Sequence, residues 1–155
     1  MTWATERLDE IQAPGFAPPP VVRRLGLGLL DQWGPGWVRK TWEPDGEDLK
    51  LADGSVFGGY IAALADQVLA FAAMTVIPNE ARYRTINLQV QFLKVARAHP
   101  LHIEGRVVDI SSRLIAVEAD FRRPDGGRIA TASAQQILLP WAPSPPSAEN
   151  ALLAL

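Results

Sequence analysis

The sequence predicts an α+β fold in which one long apolar helix is wrapped by an antiparallel sheet, and three observations carry that prediction. From Phe57 to about Ile77 almost every side chain is apolar, and six alanines at 62, 63, 65, 70, 72 and 73 give the segment the small residues that let a helix pack closely against a sheet. Arg84 to Leu93 then alternates, with Ile86, Leu88, Val90 and Phe92 on one face and Thr85, Asn87, Gln89 and Gln91 on the other, the period of a half-buried strand. Three further strand-like segments follow at 101–110, 114–122 and 128–139, separated by Ser111-Ser112-Arg113 and by Pro124-Asp125-Gly126-Gly127, whose glycines suit a hairpin. A strand, a long helix and four more strands is the order of a helix buried in an antiparallel sheet.

The remaining elements follow in chain order. Thr2 to Gln12 carries a weak helical pattern through Trp3, Leu8 and Ile11, which Ala13-Pro14-Gly15 and Pro18-Pro19-Pro20 break. Residues 1–36 therefore read as an N-terminal arm that docks on the rest. A turn at Trp33-Gly34-Pro35-Gly36-Trp37 leads into a first strand over 37–42, which stops at Pro44-Asp45-Gly46. Asp53-Gly54 marks a tight turn ahead of the helix, and Pro78-Asn79 ends the apolar run. The main domain spans 37–140, and the proline-rich 141–155 reads as a mobile tail.

Bulk properties exclude several functions. With 155 residues, 48% hydrophobic and 21% charged, the chain has the content of one globular domain with a sizeable core. A net charge of −2 and a pI near 5.7 provide no field to gather nucleic acid or an anionic membrane. Cysteine is absent, which removes disulfides, thiolate metal sites and a cysteine nucleophile and accords with a reducing compartment. The start of the chain has neither a basic nor an apolar leader region, so the expected location is cytoplasmic. The 57–77 run is long enough to span a bilayer, but Asp66 and Gln67 at its centre argue against that. His99 and His102 have no third ligand nearby, so no metal is expected, and no cofactor is implied.

The chemistry concentrates in the helix. Asp66 is the one carboxylate in the apolar stretch, and an ionised acid buried there is costly unless it is paired, hydrogen-bonded or used. Gly58-Gly59 stands at the helix start, where free backbone N–H groups carry partial positive charge suited to a developing oxyanion. A donor at the helix mouth and a carboxylate further along are the parts of an acyl-transfer site. The ordinary alternatives are an ion pair of Asp66 with Arg82 or Arg84, and a packing role for the glycines.

Asp53-Gly54-Ser55-Val56-Phe57-Gly58-Gly59, Leu64-Ala65-Asp66, the strand from Thr85 to Leu93, Gly105-Arg106-Val107-Val108 and Ala130-Thr131-Ala132-Ser133-Ala134 together resemble the hotdog-fold acyl-CoA thioesterases of the phenylacetate-pathway type, over about 37–140. That resemblance implies metal-free hydrolysis of an acyl-CoA at sites shared between two subunits, in a dimer or a dimer of dimers. Carried over by position, it makes Gly58 the donor to the thioester carbonyl, Asp66 the general base or nucleophile, and Thr85 a hydroxyl near the attacking water. It makes Ser112 and Arg113 candidates for the CoA phosphates, against the ordinary reading of a polar turn, and it places Phe57, Gly59 and Leu51 along the substrate. Phe57 stands where the family usually has His, Leu51 where Asn or Gln is common, and Ala70 where some relatives carry a hydroxyl. These departures make the pocket more apolar and favour, as the rival reading, a non-catalytic acyl-CoA or acyl-carrier binding protein. A hydratase ranks behind both, because its dyad needs a histidine near the acid.

Gly58 and Asp66 lie eight residues apart, about 12 Å along a helix rising 1.5 Å per residue, too far for one carbonyl to touch both. Two such helices packed antiparallel would bring Asp66 of one chain to Gly58 of another.

Overall fold

A computed structural model describes residues 1–43, 49–97 and 100–141. The turn expected at 44–46, His99 and all of the expected tail beyond Trp141 lie outside the described residues. The elements are α1 (Trp3–Gln12), α2 (Pro20–Arg24), β1 (Gln32–Gly34), β2 (Trp37–Trp42), α3 (Gly58–Met74), β3 (Ala81–Phe92), β4 (Leu101–Ile110), β5 (Leu114–Arg122) and β6 (Arg128–Pro140). The six strands form one antiparallel sheet in the order β1-β2-β4-β5-β6-β3, and α3 packs across it. This is the helix-in-sheet architecture that the sequence predicts.

Two features go beyond the sequence reading. β1 is a three-residue strand, too short to show a period, and it pairs with β2 through the Gly34 turn. β3 does not join its successor β4; it pairs along its whole length with β6, from Ala81 opposite Pro140 to Phe92 opposite Ala130. The hairpins among the described residues are β1-β2, β4-β5 and β5-β6. The long excursion from β3 to β4 leaves β3 at the sheet's far edge, with one row of backbone groups unpaired.

The core lies between α3 and the concave face of the sheet. The helix turns Ile61, Leu64, Ala65, Val68, Leu69, Ala72 and Ala73 inward, at the spacing of one wide apolar stripe. Period-two alternation supplies the facing surface, with Ile115, Val117, Ala119 and Phe121 buried on β5 and Val38, Lys40 and Trp42 on β2. Small residues decide how near the helix comes. A Cβ built on Gly105 of β4 would lie 2.8 Å from Val68 Cγ1 and 3.2 Å from the Val68 carbonyl oxygen, so the helix backbone rests directly on this strand.

The N-terminal segment is fastened by several polar contacts. Thr2 caps α1 in a reciprocal arrangement with Thr5, the Trp3 indole donates to Ala81 O at 2.8 Å, and Trp42 Nε1 donates to Gly26 O at 3.0 Å. Ala4 and Leu8 of α1 are fully buried and join the same core. Among the described residues no helix is long and apolar enough to cross a membrane.

Gly105 gives the first prediction. Gly105→Val should lower stability by about 1–3 kcal/mol, a fall in Tm of roughly 3–10 °C in thermal unfolding, because the added atoms meet helix backbone that cannot yield as a side chain can. An unchanged Tm would show that the helix does not rest on β4 there.

Candidate active site

Gly58 and Gly59 are the first two residues of α3, and the residue before them, Phe57, makes no side-chain capping bond. Their N–H groups are among the helix's unpaired first-turn donors. The approach to the helix is held from both sides, by Val56 N donating to Ala96 O and Phe57 N to Leu49 O, each at 2.9 Å. Packing also demands both glycines. A Cβ on Gly59 would collide with the Phe57 ring, and one on Gly58 would press the Phe92 ring at 3.2 Å. Phe57, half-exposed, stands edge-on to Tyr60 and leaves its ring beside the helix mouth. A cavity of about 290 Å³ opens there between Gly58, Ile61, Phe92 and Ile129. Leu51 projects half-exposed from the preceding turn, whose backbone closes through Leu51 N to Ser55 O at 2.7 Å.

Asp66 is not where its apolar neighbours suggest. The sequence reading treats it as an acid lodged in the core, whereas in this chain its side chain is exposed. The reason is helical phase: Ala65, Leu69 and Ala72 define the inward stripe, and residue 66 turns 100° away from residue 65. Among the described residues no arginine forms an ion pair with it, so the suggested pairing with Arg82 or Arg84 is not present. Its partner is Thr85, whose Oγ1 lies 3.2 Å from Asp66 Oδ1. Thr85 sits on the edge strand β3 immediately before a register shift between Thr85 and Asn87, a bulge of the kind that redirects side chains. The structure thus brings Asp66 and Thr85 together on the outer side of α3, and leaves Gly58 two turns away.

A residue the sequence reading missed completes this group. Gln136 lies opposite Thr85 on β6, is fully buried, and places Oε1 3.0 Å from the same hydroxyl, while its Nε2 has no partner. Thr85 has one proton and two acceptors in reach. With the Gln136 amide turned over, Nε2 would donate to Thr85 Oγ1 and free the hydroxyl proton for Asp66, replacing an orphaned donor by a less costly unpaired acceptor. The Gln135-Gln136 pair in a strand pattern gives no signal of this; the β3–β6 register reveals it.

The electrostatic neighbours of Asp66 are also set by burial. Tyr83, on the same side of β3 as Thr85, has its phenol pushed up to about 12 by burial and by the nearby Asp66 charge. Lys40, only 2% exposed under α3, donates to Gln67 Oε1 at 2.6 Å, and Gln67 Nε2 donates to Gly28 O at 2.8 Å. Burial lowers the Lys40 ammonium to about 8, against a smaller opposing pull from Asp31.

Ser112 and Arg113 are exposed in the β4–β5 turn. Arg113 O accepts from Leu138 N, which places that turn at the Tyr83 end of the sheet. From Leu138 to Ala130, the β6 partner of Phe92, is eight residues, about 27 Å of strand, so the turn and the Gly58 mouth of the same chain are at opposite ends. His102 faces Thr41 on the neighbouring strand, its Nδ1 3.3 Å from the hydroxyl.

A long helix laid across a six-stranded antiparallel sheet in this order defines a hotdog protein. The profile of the Thioesterase superfamily matches residues 53–130, half of the chain, and the chain belongs to that family. A phenylacetic acid degradation-related protein of Ralstonia eutropha JMP134 is similar in structure, with 25% identity, 88% of this chain and 99% of that one covered, and a TM-score of 0.72. A thioesterase family protein of Silicibacter pomeroyi has 26% identity over 86% of this chain and 99% of its own, with a TM-score of 0.73. A Streptococcus mutans UA159 protein, bound to acetyl CoA, shares the fold at 21% identity, with 74% and 90% covered and a TM-score of 0.65. No curated protein matches the sequence. Family and neighbours support the phenylacetate-type hotdog resemblance and thioesterase activity in general.

Lys40 gives a pH prediction. Its folded pKa is near 8 and its unfolded value near 10.5, so between those values the unfolded chain binds more protons and stability rises with pH. The favourable contribution is complete above 10.5 and is lost as the pH falls to 8. Lys40→Met should remove this rise and stabilise the chain at pH 7 by up to about 3 kcal/mol, as read by urea unfolding across pH 7–10.

Proposed function

We propose that the protein is an acyl-CoA thioesterase acting as a homodimer or a dimer of dimers, in which Asp66 of one subunit works on a carbonyl held by Gly58 of the other. The observation that carries this reading is the outward pairing of Asp66 with Thr85, about 12 Å of helix away from the open donors at Gly58. Neither half can act alone on one carbonyl, and a second copy supplies the missing half. The unpaired edge of β3 and the exposed Ile86, Phe92, Leu93 and Val95 provide the surface on which that copy would pair and bury apolar area. The bound acetyl CoA of the Streptococcus mutans neighbour supports CoA thioesters as the ligand class.

In this mechanism the Asp66 carboxylate takes a proton from water as the water oxygen attacks the thioester carbon. The carbonyl oxygen becomes an oxyanion that accepts from Gly58 N–H at the positive end of α3. Collapse expels CoA as the thiolate, and the proton held by Asp66 is returned to it. Thr85 donates to Asp66 and fixes its orientation, with Gln136 behind it. In this reading Ser112 and Arg113 would meet the CoA phosphates, and Phe57, Gly59 and Leu51 would border the acyl thioester at the helix mouth.

One pair of residues favours the rival, an acyl-CoA or acyl-carrier binding protein without turnover. Phe57 and Leu51 supply no side-chain donor where the family commonly has one, and a lost transition-state donor costs about 2.7–4 kcal/mol. Free thiol release from a panel of acyl-CoAs separates the two readings. Turnover is expected, and binding without thiol release from any of them would establish the rival.

Asp66→Asn should keep the fold and ligand binding and lower hydrolysis by about 10²–10⁴-fold, while Thr85→Val should lower kcat by roughly tenfold with little change in KM. An unchanged rate in Asp66→Asn would remove this acid from the mechanism. Sedimentation at micromolar concentration should give a dimer or larger, and a fully active monomer would refute the shared site.

A further inference from the structure

The N-terminal segment roofs a second cavity, of about 310 Å³, over the outer side of α3. Its floor is Gln67, Ala70 and Phe71 of the helix, with Tyr83 of β3 at one side. Phe16, Val22 and Leu29 form the roof. Two alignments join it to the carboxylate. Ala70 lies one helical turn beyond Asp66 on the same stripe, about 6 Å away, and Tyr83 lies two residues before Thr85 on the same side of β3, about 7 Å away. Asp66 and Thr85 themselves do not line the cavity, but Ala70 and Tyr83 set it one step along the helix and the strand from them.

Its chemistry is that of an apolar ligand's tail. Arg7 is the charged member of the lining, and it is already paired with Glu10 at 2.7 Å and stacked on the Phe16 ring. Gln67 has both ends of its amide engaged, by Lys40 and by Gly28. The glutamine's amide is thus committed, Arg7 keeps further N–H groups at its exposed end, and apart from the Tyr83 phenol the rest of the lining is apolar. The volume is about twice that of a 150 Å³ apolar cavity known to hold a benzene ring, room for a chain of roughly eight carbons. The roof is held in place by Gln67 Nε2 to Gly28 O, Gln12 Nε2 to Asp31 O at 2.6 Å and Trp33 Nε1 to Asp9 Oδ1 at 3.1 Å, so the space is built into the fold.

We propose that this cavity is the acyl-tail subsite, and that the N-terminal segment thereby selects apolar, medium-chain acyl groups over acetyl. The inference rests on the thioester reading of Asp66. Ala70 is its gate: a residue with no side chain beyond Cβ leaves the floor open one turn from the acid, and a larger side chain would close it.

The test uses non-hydrolysable S-alkyl-CoA thioethers and titration calorimetry on the full chain, so that it does not depend on turnover. Each buried methylene contributes about fourfold in affinity, so octyl-CoA should bind at least about fiftyfold tighter than ethyl-CoA. Ala70→Phe should reduce the octyl-to-ethyl ratio to below about fivefold, and Val22→Trp, which fills the cavity from the roof side, should do the same if the helix variant fails to fold. Equal affinity for octyl- and ethyl-CoA, or a ratio untouched by both variants, would overturn the subsite while leaving hydrolysis to be judged by Asp66→Asn. Failure of every CoA thioether to bind would overturn the thioester reading and the subsite with it.

Discussion

The contact of α3 with Gly105 fixes the geometry on which everything else depends. Because a Cβ on that residue would strike Val68 and its carbonyl, the helix is seated against β4 at one depth and in one rotational phase. Phase is the quantity that matters for chemistry. With Val68 pointing into the sheet, Asp66 two residues earlier is carried about 200° around the axis to the opposite side, beside the edge strand. The same rotation puts Ala70 next to Asp66 and sends the glycine pair to the mouth between Phe57 and Phe92. A helix turned by one residue, with Asp66 in the place of Ala65, would carry the acid into the core.

Much of this was legible from the residues. The alternation from Thr85 to Phe92 in β3, the glycines of the β5–β6 turn and the length of the apolar run state their elements plainly, and β4 and β5 have the bounds that the sequence suggests. What was hidden has a common cause. The pairing of β3 with β6 and the opposition of Thr85 and Gln136 are facts of register between strands some fifty residues apart, which no local period encodes. Asp66 misled for a related reason. A mean apolar composition says that a segment is buried on one side, and the face must be found from the spacing of the largest residues, here Ile61, Leu64, Val68 and Leu69. The buried Lys40 follows the β2 alternation, yet its type argues against burial, and it is tolerated because Gln67 accepts from it.

Phe57 leaves the start of α3 without a side-chain hydrogen bond. A histidine there can donate to a ligand or cap the helix; a phenyl ring can do neither, and α3 indeed has no side-chain cap. The ring instead covers Gly59 and stands edge-on to Tyr60. Gly59 nevertheless stays exposed, so the first-turn donors remain open to a ligand and the ring adds apolar surface beside them without adding a hydrogen bond.

Polar groups under and beside α3 reinforce the same division of the helix into two ends. Near its start the donors are open and the surroundings are aromatic; near its middle, Lys40, Gln67 and the Gly28 carbonyl form a closed chain that ties the N-terminal segment to the helix from within. A link of that kind adds little net stability, since desolvating the ammonium offsets most of what the hydrogen bonds return. Its effect is positional. It holds Gly28, and with it Leu29, at a fixed height above Ala70 and Phe71, so that the space over the helix has walls that do not collapse into it. An all-apolar replacement could make the chain more stable, but it would lose the one directional contact that sets where the roof stands relative to the acid.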